Sequence, residues 1–136
     1  MTVRNLTLAL ALSLGACASL PPSYINPDLG AGDAPVLAQG VAGFVTLQGG
    51  EGSVAIQAPP GDSQIADQVE RAVRAAGITV APNGQRHLSY QIDVRLGGAL
   101  VRVVLDGARG ARAYTRTRDG SLAPAGPYSV TLGGAL

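Results

Sequence analysis

The sequence predicts an α+β fold, a small two-layer sandwich with one amphipathic helix packed on an antiparallel β-meander. Three observations carry that reading. Ile65, Val69, Ala72, Val73 and Ala76 fall at i, i+4, i+7, i+8 and i+11, one apolar stripe of a helix. Leu88, Tyr90, Ile92, Val94 and Leu96 then alternate with His87, Ser89, Gln91, Asp93 and Arg95, a strand with one dry and one wet face. Finally, Gly97-Gly98 and Asp106-Gly107 are turn sequences that separate this strand from two more β-prone runs, Leu100–Leu105 and Ala111–Thr117. Helix stripe and dry strand face are the two halves of one core.

The elements follow in chain order. Residues 1–16 read as an export signal: Arg4 precedes the apolar stretch Leu6–Leu14, and Leu14-Gly15-Ala16 offers small residues at the cut. The stretch is shorter than the ~20 apolar residues that span a bilayer. Cys17, the sole cysteine, follows at once, an arrangement that resembles a bacterial lipobox. That resemblance implies acylation of Cys17 and an anchor in lipid, whereas elsewhere a lone cysteine is usually a small buried hydrophobe. From Ala18 to about Gly40, four prolines interleave with glycine and serine, which predicts an extended linker over residues 17–40.

A single domain is expected over residues 41–136. Phe44-Val45-Thr46-Leu47 and Val54-Ala55-Ile56 flank Gly49-Gly50-Glu51-Gly52 and read as a hairpin. Pro59-Pro60-Gly61 stops the chain before the helix. Asp62 or Ser63 can cap that helix, and Gly77 stands where a left-handed stop belongs. Asp67/Arg71 and Glu70/Arg74 mark its wet face at i, i+4. Past the meander, Leu122–Val130 is too rich in proline and glycine for a helix. Either it lies across the sandwich with Tyr128 as anchor, or Tyr128–Leu132 pairs as a late strand.

Composition excludes several functions. All ten basic residues are arginine, and removing residues 1–16 leaves nine of them against seven aspartates and two glutamates. Such a balance does not steer a protein to nucleic acid or to an anionic surface. His87 is the only histidine, and with Cys17 given to lipid no zinc site or Cys/His pair has its ligands. His87 and Ser89 share a strand face but lack an orienting partner, so the sequence predicts no enzyme, no metal, no cofactor and no small-molecule substrate. The chemistry left over is basic. Arg109, Arg112, Arg116 and Arg118 cluster on the last strand and its flanks; Arg112, Tyr114 and Arg116 alternate on one face and, with Tyr128, make a candidate surface for a partner's carboxylates. The plainer reading is a charged guard on an edge strand.

The order of these features resembles one family. Arg74-Ala75-Ala76-Gly77 ends the helix, the strand Leu88-Ser89-Tyr90-Gln91-Ile92-Asp93 follows, then Arg112-Ala113-Tyr114, and last Gly120-Ser121-Leu122-Ala123-Pro124-Ala125-Gly126-Pro127-Tyr128. Over residues 63–130, together with the signal, this is similar to the TrbH-type conjugal-transfer lipoproteins of mating-pair formation. The resemblance implies a non-enzymatic part of a conjugative type IV secretion apparatus. It further implies attachment through Cys17 to lipid on the periplasmic face of the outer membrane, with protein components of the complex as partners. Ala18 in place of an aspartate after the cysteine agrees with that address. An accessory subunit or chaperone of another trans-envelope complex is the alternative.

Overall fold

The computed structural model describes residues 22–49 and 51–132, so the signal sequence and Cys17 lie outside the described residues. Two helices, α1 (Ala34–Leu47) and α2 (Gln64–Ala75), cover one face of an eight-stranded mixed sheet. The strands are β1 (Tyr24–Ile25), β2 (Ser53–Ile56), β3 (Thr79–Val80), β4 (Arg86–Arg95), β5 (Gly98–Leu105), β6 (Ala108–Arg116), β7 (Leu122–Pro124) and β8 (Ser129–Leu132). The α+β class read from the sequence is the class observed.

The centre of the sheet is the expected meander. β4, β5 and β6 pair antiparallel, with Tyr90 opposite Val103 and Ile92 opposite Val101 on the dry face. The wider sheet goes further, because each outer edge of the meander is closed by two short strands placed end to end. β2 and β1 run parallel to β4, pairing at Arg86–Leu88 and at Gln91–Ile92. The Ser23 hydroxyl accepts the Tyr90 N–H between them at 3.0 Å. On the far side, β8 pairs with Ala108–Ala111 of β6 and β7 pairs with Tyr114–Arg116. β6 is therefore an inner strand, and its arginines guard no edge.

Helix α2 forms as its sequence dictates. Ile65, Val69, Ala72 and Val73 are buried, while Ala76 is the exposed C-cap and does not extend the stripe. Of the two capping candidates, Ser63 serves: its hydroxyl accepts the Ala66 N–H at 3.3 Å. At the other end, Gly77 has φ of +85° and donates to Arg74 O, and buried Ile78 donates to Val73 O. That paired bonding is a Schellman stop, which only a residue at ease with positive φ makes without strain. Glu70 and Arg74 meet at 3.4 Å on the wet face.

Helix α1 corrects the sequence reading twice. Residues 22–40 are built into the fold as β1, a 3₁₀ turn (Ala31–Asp33) and the first half of α1, where an extended linker was expected. Phe44–Leu47 is the last turn of α1 and forms no hairpin with Val54–Ile56; β2 pairs in parallel with β3 and β4 instead. The helix is legible in hindsight. Ala34, Leu37, Ala38, Val41, Ala42 and Val45 fall at helical spacing and all are buried. Pro35 stands in the first turn, where its missing N–H costs nothing.

Two glycines, one in α1 and one in β6, let the helix lie close on the sheet. A methyl group on Gly40 would collide with the Tyr114 hydroxyl, and one on Gly110 of β6 would collide with the Phe44 ring. Their absence lets helix and sheet approach closely, so the core is continuous from α2 through α1 to β6.

Candidate functional site

Arg112, Tyr114, Arg116 and Tyr128 sit on or beside the helix-covered side of β6, and each has a partner inside the chain, whereas Arg109 projects from the opposite face and Arg118 lies in the turn after β6. Tyr114 is only 3 % exposed, beneath Gly40. Tyr128 donates its hydroxyl to the Gly40 carbonyl and sets its ring against Phe44, centroids 5.3 Å apart. The Arg112 guanidinium carbon lies 5.4 Å from the Tyr128 ring centre and 5.8 Å from that of Tyr114, and its Nε donates to Gly126 O at 2.8 Å. Arg116 grips Asp33 with two nitrogens, at 2.7 and 2.9 Å, and also donates to Gly120 O. Both readings of the C-terminal stretch hold together: Tyr128 anchors it, and Ser129–Leu132 pairs as β8.

The electrostatics follow from these contacts. The Arg116 hydrogen bonds hold the Asp33 carboxyl below its ordinary value, helped by the Gly30 N–H and resisted by burial. Burial pushes the Tyr90, Tyr114 and Tyr128 phenols up, so none is set to act as an acid or base near neutrality.

His87 and Ser89 do share the outer face of β4, but nothing among the described residues turns them into a catalytic pair. The His87 backbone N–H donates to Asp106 Oδ1 at 2.9 Å, which fixes the strand rather than the imidazole. No group of three or more His, Cys, Asp or Glu residues able to hold a metal occurs among the described residues.

The outer face of the sheet received little weight from the sequence, and it carries the open polar surface. Strand register lays two rows of side chains across it. One row runs Ser89, Val104, Arg109, Thr131; the next runs Gln91, Arg102, Ala111, Ser129. Tyr24 of β1, opposite Gln91 and 43 % exposed, stands at the end of the second row. A shallow hollow of about 420 Å³ lies over these rows. A second, of about 540 Å³, separates the β1 segment from the start of α2, between Tyr24 and Leu29 on one side and Pro59, Pro60 and Ser63 on the other. The signal for the outer face was present in the sequence as Arg102 alternating with valines, but its neighbour Arg109 belongs to another strand. Only the register brings the two together.

The family model for the conjugal transfer protein TrbH matches residues 21–133. The chain belongs to the TrbH family. No curated protein and no solved structure matches the chain. The match begins just before Ser23, the first of the described residues tied to the sheet, and takes in residues 41–60 together with the 63–130 stretch that carries the motifs. Membership makes the chain a component of conjugal transfer, and the fold explains the family-like residues. Leu122-Ala123-Pro124 is β7, and Tyr128 is the anchor beneath α1.

Proposed function

We propose that this chain is a non-enzymatic, lipid-anchored structural or assembly component of a conjugative type IV secretion apparatus, held at the periplasmic face of the outer membrane. The family match over residues 21–133 carries the proposal. Cys17 after Leu14-Gly15-Ala16 supplies the acylation site. Ser23 is already bonded to β4, so only residues 18–22 separate the anchor from the sheet. A tether of that length reaches about 20 Å at full extension. The domain therefore rides close to the lipid surface, not on the long spacer that the proline-rich composition suggested.

The clustered residues Arg112, Tyr114, Arg116 and Tyr128 serve in this reading to close the fold, leaving docking to other surfaces. The test is plasmid transfer from donors lacking the gene, complemented with wild type or with Cys17→Ala. Loss of transfer restored only by the cysteine form supports a tethered component. Normal transfer after clean deletion overturns the reading and returns the chain to the accessory subunits of other envelope complexes.

A further inference from the structure

We propose that the outer face of the sheet docks an acidic, extended segment of a partner protein, with Arg102 and Arg109 as its two anchors. The proposal rests on the sheet alone and is independent of the lipid anchor.

Charge comes first. Arg116, Arg86 and Arg74 are each paired with a carboxylate, and Arg112 is enclosed by two tyrosines. Arg95, Arg102 and Arg109 lie on the outer face, exposed, and make no ion pair among the described residues. Asp93, the carboxylate of β4 on this face and one row further along, accepts from Asn26 Nδ2 at 3.2 Å. Arg71 on α2 and Arg118 in the β6–β7 turn also make no ion pair among the described residues, but each stands alone, whereas the outer face gathers three such cations. Complementary charge is what such a surface selects.

Spacing comes second. Arg102 stands opposite Ala111, and Arg109 is two residues before Ala111 on the same strand. The two arginines are diagonal neighbours, ~7–8 Å apart at their backbones. Alternate side chains of an extended peptide repeat at ~7 Å. Carboxylates at i and i+2 of a strand-like segment therefore meet the two guanidinium groups at once. Val104 and Ala111 fill the other corners of the block and are short enough to let the segment down into the hollow. Gln91, Ser129 and Thr131 rim it with hydroxyl and amide groups for the segment's backbone, while Ser89 is buried in its floor.

The same surface is a poor match for other anions. Tyr24 at the rim is the one aromatic on these rows, because Tyr90, Tyr114 and Tyr128 point into or beneath the helix layer. Single-stranded nucleic acid needs a succession of stacking platforms and an excess of positive charge. A bilayer surface recognises clusters of four or more cations on a convex or flat patch, not two within a hollow.

The test uses the full chain purified in detergent and a fluorescein-labelled peptide alternating threonine and glutamate. The expected result is saturable binding that weakens with salt. It is lowered about tenfold or more when glutamine replaces glutamate in the peptide, or when the protein carries Arg102→Gln with Arg109→Gln. Arg118→Gln, in the turn between β6 and β7, leaves binding unchanged. Ala111→Glu, which plants a carboxylate beside both arginines, provides a second variant with the same expected loss. Circular dichroism confirms folding of each. Failure of the acidic peptide to bind, equal binding of the glutamine peptide, or indifference to the arginine and Ala111 variants overturns the proposal. So does binding confined to phosphatidylglycerol vesicles or to oligo-deoxythymidine.

Discussion

Asp33 and Arg116 lie 83 residues apart in sequence and meet in a two-pronged ion pair. Asp33 is 8 % exposed at the entry to α1, and Arg116 closes β6 where the chain turns toward β7. The pair thus fastens the entry of α1 to the last residue of β6. Arg116 also holds Gly120 O, so one guanidinium organises the helix entry and the β6–β7 turn together.

The pair makes stability pH-dependent in a definite direction. The folded state lowers the Asp33 pKa from its ordinary 3.8, chiefly through Arg116. That contribution is fully present above the ordinary value and is lost as pH falls through the lower folded value. Asp33→Asn should lower the thermal midpoint at neutral pH by about 4–8 °C. The gap between variant and wild type should close as pH falls below 3.8 and Asp33 takes up a proton. Melting curves from neutral pH into acid test this; a constant gap at every pH would show that charge is not the cause.

Close approach of α1 to β6 predicts a paired effect. Gly110→Ala puts a methyl group into the Phe44 ring and should cost about 1–3 kcal/mol. Phe44→Leu alone should destabilise by leaving space, yet restore part of the loss when combined with Gly110→Ala. Chemical denaturation of the four proteins in a double-mutant cycle measures the coupling. Additive losses would mean that the two residues do not share the space.

The Tyr128 anchor predicts a smaller loss and an alkaline signature. Tyr128→Phe keeps the ring on Phe44 but removes the hydroxyl donor to Gly40 O, at a cost of about 1 kcal/mol. Burial raises the Tyr90 and Tyr128 phenols well above the ordinary 10.0. A raised phenol contributes stability below the ordinary value and loses it as pH climbs beyond, because the unfolded chain then releases the proton more readily. Ultraviolet titration should show these two phenolates appearing together with unfolding. Their ionisation in a chain that still gives a folded dichroism spectrum would contradict the burial argument.

The start of α2 depends on one hydroxyl. Ser63→Ala removes the acceptor for the Ala66 N–H and should cost about 1 kcal/mol, while Ser63→Asp, also a good cap, should be close to neutral. Urea midpoints distinguish the two; equal losses would point to some other role for Ser63.

By itself, the sequence determined α2, the β4–β5–β6 meander and the α+β class. Those features are local: the stripe from Ile65 to Val73, the cap and stop at Ser63 and Gly77, and the period-two run from Leu88 each write their conformation in neighbouring residues. It also held the family motifs, in Arg112-Ala113-Tyr114 and in the stretch from Leu122 to Tyr128. The tertiary structure decided whatever rests on contacts across the chain. Pro35 and Gly40 look like a linker until Tyr114 and Tyr128 are seen beneath Gly40, where a larger residue would not fit. Strands of two residues, such as β1 and β3, have no period to read and exist through their bonds to β4 and β2. Arg112 and Arg116 look free in sequence, yet the fold supplies two tyrosines and Asp33, while Arg102 and Arg109 become neighbours only through register. Period and capping act within a few residues and survive in a one-dimensional reading; burial and ion pairing are properties of surfaces that only the folded chain creates.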